Sequence, residues 1–205
     1  MPRKKKTTAR PAARRDDNEA RILRVAERLF ARHGYRNVTV RDIAEAAHVT
    51  HPLIYHYFGS KRGLFAAVLD KNQGRMRAVA EVSTGAEDTV HNIAQASLSR
   101  SRTYQMILAR AFADGMRPAD WPGGFPGIEA ALARLMAELP AGHGGGEAEV
   151  RERLAAAIAM IHGWVVNEAQ LLELAGLSPE DRDAMRARIT REVVELIRPV
   201  LPPDD

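Results

Sequence analysis

The stretch TVRDIAEAAHVTHPLIYHYFGSK, residues 39–61, decides how this chain folds. Thr39 precedes Val-Arg-Asp, so its hydroxyl is placed to cap a helix whose Asp42 returns a carboxylate to the cap amide. Ile43, Ala46 and Ala47 supply the apolar stripe of that short helix. After His48 and Val49, Thr50 is a second cap candidate, and Pro52 falls in a first turn where a missing N–H costs nothing. A second short helix is therefore expected from about His51 to Phe58. Gly59 stops it, and Ser60 caps a longer helix with Leu64, Phe65, Val68 and Leu69 on one face. Upstream, Ile22, Val25, Ala26, Leu29 and Phe30 recur at 3.6-residue spacing from Asp16 onward, and Gly34 ends that helix in a left-handed conformation. Two short helices joined by a tight turn and braced by a longer amphipathic one form the helix-turn-helix arrangement, whose second helix enters the DNA major groove.

Beyond residue 75 the pattern stays helical, with no strand alternation and no internal repeat. Helices are expected near 86–100, 103–114, 125–139, 147–175 and 178–198. The breaks between them are rich in Gly and Pro, most clearly over 117–127 and 140–146. Ser178-Pro-Glu-Asp181 opens the last helix with a cap, a proline and an acidic first turn. The expected fold is all-α. Residues 1–15 read as a disordered basic arm, 16–75 as the helix-turn-helix domain, and 76–205 as a second helical domain.

Charge divides the chain at the same place. Residues 1–75 hold 17 Lys and Arg against 7 Asp and Glu, whereas residues 76–205 hold 13 against 19. A basic module suits a polyanion, because neutralised phosphates release counterions, while the acidic remainder would be repelled by the same duplex. Seven of the N-terminal cations precede residue 16, yet an excess persists without them. No apolar run reaches the ~18 residues of a membrane span, so no membrane partner and a cytoplasmic location are expected. With no cysteine, disulfides, thiolate metal sites and cysteine nucleophiles are excluded. His48, His51 and His56 share no i, i+4 face and have no carboxylate to complete a site, so neither metal nor cofactor is expected.

The string from Gly34-Tyr35 through Thr39-Val-Arg-Asp-Ile-Ala-Glu-Ala-Ala, Val49-Thr50, Leu53-Ile-Tyr-His-Tyr-Phe-Gly-Ser-Lys61 and Leu64-Phe65 closely resembles the signature of TetR-family transcriptional regulators, over roughly residues 18–69. The resemblance implies a homodimer with an N-terminal three-helix DNA module and a C-terminal domain for dimerisation and effector binding. It also implies roles. Thr39 and Thr50 would contact phosphate at two helix starts, Arg41 would reach phosphate or a base edge, and Lys61 would clamp a further phosphate. His51, Pro52 and Leu53 would occupy the exposed start of the recognition helix. Tyr55, His56 and Tyr57 would supply groove or phosphate contacts, and Ile54 and Phe58 would face the module's core. Three departures stand out, one of them Gly63, which stands where an acidic first-turn residue is frequent and weakens its helix slightly. His48 replaces the usual turn glycine, and a Pro-Leu edge can pack on a thymine methyl but cannot pair bidentately with guanine.

For the second domain, Leu154, Ile158, Ile161, Val165 and Leu172 on one helix and Met185, Ile189, Val193, Leu196 and Ile197 on the next form stripes suited to a four-helix dimer interface or to an internal core. Tyr104, Met106, Phe112, Trp121, Met160 and Trp164 are candidate effector-pocket residues, along with Met116 and Phe125. His91, His162 and Asn167 are candidate polar anchors. Few charges fall inside the apolar stripes, which favours an uncharged, hydrophobic effector. An enzyme is not expected, since no carboxylate pair, Ser-His-Asp set or phosphate-cradling glycine loop occurs. The expected function is a repressor released from its operator by a small molecule. The alternative is an activator or architectural DNA-binding protein of the same fold.

Overall fold

Short-range signals set most of the helix ends. The computed structural model describes residues 11–100, 102–121, 124–140 and 146–201. In chain order the helices are α1 (Pro11–Asn37), α2 (Val40–Ala46), α3 (His51–Phe58), α4 (Lys61–Val82), α5 (Ala86–Arg100), α6 (Arg102–Ala113), α7 (Pro126–Glu138), α8 (Gly146–Leu174) and α9 (Arg182–Ile197). Single 3-10 turns at Pro118–Asp120, Pro179–Asp181 and Arg198–Val200 complete them, and no strand occurs among the described residues. The fold is all-α, as expected.

At the N-terminus the sequence reading needs correction. α1 begins at Pro11 rather than Asp16, because a proline in the first turn followed by two alanines is itself a helix start. Residues 11–15 are therefore helical, and residues 1–10 of the expected arm lie outside the described residues. The division at residue 75 falls inside α4, which runs unbroken from 61 to 82. Gly34 does break α1, at φ 80° and ψ 162°. His48 adopts φ 51°, a positive value no other non-glycine takes among the described residues.

Two hydrophobic cores result. The first unites Ile22, Val25, Ala26 and Phe30 of α1, Val40, Ile43, Ala44 and Ala47 at α2, Ile54 of α3, and Leu64, Phe65, Val68 and Leu69 of α4. Ala46 is exposed and Ala44 is buried, the reverse of the expected stripe. This core is not closed within the N-terminal module. Tyr104, Ile107, Leu108 and Ala111 of α6, together with Trp121, belong to it, and α1 lies along α6. The second core collects Ala86, Val90, Ala94 and Leu98 of α5, Leu135 of α7, Ile161, Trp164, Val165 and Leu172 of α8, and Ile189, Val193, Val194 and Ile197 of α9.

A buried carboxylate fixes the far end of that second core. Glu168 is 2 % exposed and meets Arg102 at 3.2 Å, Arg182 at 2.7 Å and Arg186 at 2.7 Å, which ties α6, α8 and α9 together. It follows a local distortion of α8 at Asn167 (φ −113°, ψ 19°), whose amide donates to the Gly163 carbonyl at 3.0 Å.

Candidate DNA interface and effector cavity

At α2 the capping box forms as read. Thr39 Oγ1 accepts from the Asp42 amide at 3.1 Å, and Asp42 Oδ2 accepts from the Thr39 amide at 2.7 Å. Hydrogen bonds from the Thr39 backbone and hydroxyl hold Asp42 below the usual carboxylate range. Thr50 departs from expectation. It occupies the N-cap position of α3 with extended backbone, but its side chain makes no capping hydrogen bond. Its hydroxyl is exposed and not committed to the helix.

The exposed edge of α2 and α3 carries Thr39, Arg41, Thr50, His51, Pro52, Tyr55 and His56, with Leu53 half-buried beside them. Ile54 is fully buried, and Phe58 packs partly against the core. These residues lie on one side of the module because α3 spans only two turns, so Ile54 anchors its inner face while its neighbours point outward.

Tyr57 and Lys61 each already meet partners within the module. The Tyr57 hydroxyl donates to the Arg15 carbonyl at 3.3 Å, and the Arg15 guanidinium lies 5.8 Å from the Tyr57 ring centre. Tyr57 thus joins α3 to the start of α1. Lys61 Nζ sits 4.4 Å over the Tyr35 ring and 3.5 Å from the Arg36 carbonyl. Partial burial lowers its pKa, with Asp42 opposing the shift.

Between α4, α5, α6, α7 and α8 lies a cavity of about 610 Å³. Its walls are Gln73 and Met76 of α4, Ile93 and Ser97 of α5, Tyr104, Gln105, Leu108 and Phe112 of α6, Phe125, Ile128 and Leu132 beside and along α7, and Ala155, Ile158, Ile161 and His162 of α8. Gly127 permits α7 to close on α4, since a Cβ there would lie 2.8 Å from Met76 Cβ.

Of the residues singled out from the sequence, the structure brings Tyr104, Phe112, Phe125 and His162 to the cavity wall. Trp121 lies one layer behind, buried against Phe112 and stacked on Phe125, with ring centres 6.0 and 5.6 Å away. Met106, Met160 and Trp164 do not line it. Met106 is half-buried on α6 away from the wall, Met160 faces solvent, and Trp164 is buried in the second core. Met116 packs on the first core, His91 lies beside Glu87 and Asp88 in a separate polar cleft, and Asn167 is spent on α8. Gln73, Met76 and Gln105 were missed. Two are polar and look like solvated helix positions, yet Gln73 is 3 % and Gln105 9 % exposed. A buried glutamine at apolar spacing was the available signal.

Gln73 links the cavity to its roof, donating to the Tyr104 hydroxyl at 3.4 Å and to the Gly124 carbonyl at 2.5 Å. Burial pushes the Tyr104 hydroxyl up, opposed by its hydrogen bond with Gln73. Behind this wall the aromatic rings run on into the DNA module. Trp121 meets Phe65 edge-on at 5.7 Å, Phe65 lies 4.7 Å from Tyr35, and Tyr35 carries Lys61.

A helix-turn-helix module with a polar, outward-facing edge, mounted on a helical domain with its own apolar cavity, defines a DNA-binding transcriptional regulator. Residues 22–68 match the family described as bacterial regulatory proteins, tetR family. The chain is 27 % identical over 90 % of its length, and 92 % of the relative's, to the HTH-type transcriptional repressor Rv3405c of Mycobacterium tuberculosis. Over 28 % of the chain and 31 % of the relative, it is 43 % identical to the HTH-type transcriptional repressor AcnR of Corynebacterium glutamicum. The fold is similar to that of the multidrug binding protein EbrR complexed with malachite green, with TM-score 0.60, 19 % identity and coverage of 90 % and 98 % of the two chains. The chain thus carries the N-terminal DNA-binding domain of the tetR family of bacterial regulatory proteins and is similar over most of its length to HTH-type transcriptional regulators. Among the described residues no helix is long and apolar enough to cross a membrane.

Proposed function

We propose that the protein is a homodimeric, cytoplasmic repressor that leaves its operator when a small molecule enters the cavity. One observation carries this reading: α4 contributes Leu64, Phe65, Val68 and Leu69 to the core of the DNA module and, a few residues on, Gln73 and Met76 to the cavity wall. A ligand that displaces Gln73 or Met76 moves the same rigid helix that positions α3. Two recognition helices must meet successive major grooves ~34–36 Å apart, so a small tilt in each subunit favours a conformation that no longer fits DNA. The repressors among the relatives and the ligand-bound EbrR support the sign and the trigger.

On DNA, Thr39, Arg41, Thr50 and Lys61 position the backbone, and His51, Pro52, Leu53, Tyr55 and His56 face the groove. Tyr57 is reassigned to holding α3 against α1. Dimerisation uses the outer face of α8, where Met160, Leu171 and Leu174 recur on one side and are exposed by 38, 37 and 84 %. Ile189 and Val193, expected at that interface, are buried in the subunit's own core.

The test begins by sequencing the genomic DNA fragments that the purified protein retains. Compounds that raise its melting temperature are then tried for release of one such fragment in a mobility-shift assay. Release by a stabilising compound, weakened in Gln73→Leu with DNA affinity unchanged, supports the proposal. Stabilising compounds that never release DNA overturn it in favour of an activator or architectural protein.

A further inference from the structure

Among the described residues only two charged ones line the cavity, and both are exposed and already engaged. Glu129 Oε1 accepts from the Phe125 amide at 3.2 Å, and Arg151 Nε pairs with Glu147 at 2.7 Å. Each would have to give up its partner and its water to meet a charge inside. An ion in this cavity would therefore lose its water without gaining a counter-charge, a cost that the apolar walls cannot offset.

The interior does hold hydrogen-bonding groups, and they cluster on one side. Tyr104 and Gln105 are adjacent on α6 and both buried, and His162 of α8 faces them. Gln105 Oε1 lies 2.9 Å from His162 Nδ1. With that oxygen accepting, Nδ1 carries the ring proton and Nε2 keeps a lone pair. Burial lowers the pKa of His162 and so favours the neutral ring. Among the described residues, the Gln105 amide N–H groups, the Tyr104 hydroxyl proton and His162 Nε2 have no protein hydrogen-bond partner. Two donor groups and one acceptor, all uncharged, stand beside a largely apolar chamber, whose other polar walls, Gln73 and Ser97, already donate to the Gly124 carbonyl and to Met76 Sδ.

We infer that the cavity takes a neutral, predominantly hydrophobic small molecule with one hydroxyl or carbonyl oxygen, held by Tyr104, Gln105 and His162. The inference rests on the effector-cavity reading above. At about 610 Å³ the space falls within the range of drug-sized ligand sites. A carbonyl oxygen accepts from Tyr104 and Gln105, and a hydroxyl can also donate to His162 Nε2. A carboxylate or an ammonium finds no partner of opposite charge inside.

The experiment uses the full chain with Nile red, a neutral dye that carries a carbonyl, followed by its blue-shifted emission. Decan-1-ol, decan-2-one, decanoate and decylammonium, which share one chain and differ in head group, then compete with it. The alcohol and ketone are expected to displace the dye at about tenfold lower concentration than either ion. Once corrected for each variant's own dye affinity, the inhibition constant of decan-1-ol should rise by about fivefold in Gln105→Leu and in His162→Phe, one hydrogen bond's worth, while that of hexylbenzene should stay the same. Leu132→Trp and Ala155→Phe fill the chamber. Whichever keeps the wild-type helical spectrum should take up no dye.

The outcomes separate the two readings. No saturable dye uptake, or uptake undiminished in a folded chamber-filling variant, means the cavity is not a binding site, and the effector reading fails. Uptake in the cavity with decanoate or decylammonium displacing the dye as well as decan-1-ol leaves the effector reading standing and overturns the neutral-ligand assignment. Unchanged decan-1-ol displacement in both Gln105→Leu and His162→Phe overturns the anchors.

Discussion

The two cores of this molecule are packed for different ends. The N-terminal one is filled by rings: Phe30 and Phe65 are essentially inaccessible and meet edge-on at 5.1 Å, with Tyr35 and Trp121 closing around Phe65. The C-terminal one is built mainly from aliphatic and small residues, borders a chamber of about 610 Å³, and leaves Met160, Leu171 and Leu174 facing solvent. A DNA-reading edge must be held rigidly, so its support is solid. On the function proposed above, the second domain receives a ligand and a second subunit and so must leave surface unsatisfied. The boundary between them is not a linker. α6 and Trp121 belong to the solid core on one side and to the chamber wall or its backing on the other.

The sharpest way to break this contrast is truncation on each side. Phe65→Ala should cost about 3–5 kcal/mol, because it opens a hole that no neighbour can fill, and α6 should loosen with the module. Leu132→Ala removes atoms that already face empty space, so its cost should fall near or below the ~2 kcal/mol at the low end for such truncations. Urea unfolding of both variants measures the difference. Equal costs would show that the chamber is closed and packed.

At the subunit surface the contrast predicts separate fates for two apolar residues. Leu171→Glu should leave the fold intact and weaken the dimer by about 2 kcal/mol, roughly thirtyfold, since the side chain is exposed in the subunit. Ile189→Glu puts a charge into the subunit's own core and should unfold it. Sedimentation and circular dichroism of both variants tell these apart. A folded, monomeric Ile189→Glu would reverse the assignment.

On the DNA side the expected effects are smaller. Lys61→Ala should remove one phosphate contact and reduce the magnitude of the salt dependence of operator binding by about 0.9 in log–log slope. An unchanged slope would mean that Lys61 serves only to pack on Tyr35. The smallest effect separates the two threonines. Thr39→Ala breaks a formed capping box and should cost about 1 kcal/mol of stability, whereas Thr50→Ala, with no cap bond to lose, should cost only about 0.3 kcal/mol. Thermal melts decide this, and both variants should bind operator DNA more weakly.

Much of this architecture was legible because its causes are local. The Thr39–Asp42 box, the Gly34 and Gly59 stops, the Ser60 cap and Pro126 at the start of α7 act within four residues, so helix order and most ends follow from the chain alone. The exception at Pro11 is local as well: its first-turn signal was outweighed by the surrounding charge. The exposed edge of α2 and α3 was equally legible, since a two-turn helix with one buried anchor leaves few arrangements for its other side chains.

Burial across the whole bundle was not legible. Periodicity states that a helix has an apolar face but not which neighbour meets it, so the stripe of α9 looked like an interface and proved to be core. Trp164 looked like a pocket wall and joined the second core, while Met160, four residues before it, faces solvent. The cavity belongs to five helices contributed by residues 73–162, and a void is defined by the side chains that fail to meet there. The sequence by itself determined the helices, their order and the exposed edge of α2 and α3, because hydrogen bonds and caps within a few residues decide them. Only the tertiary structure decided the chamber, its Gln105–His162 pair and the seating of Trp121 in the DNA module's core, because those depend on the relative placement of helices far apart in the chain.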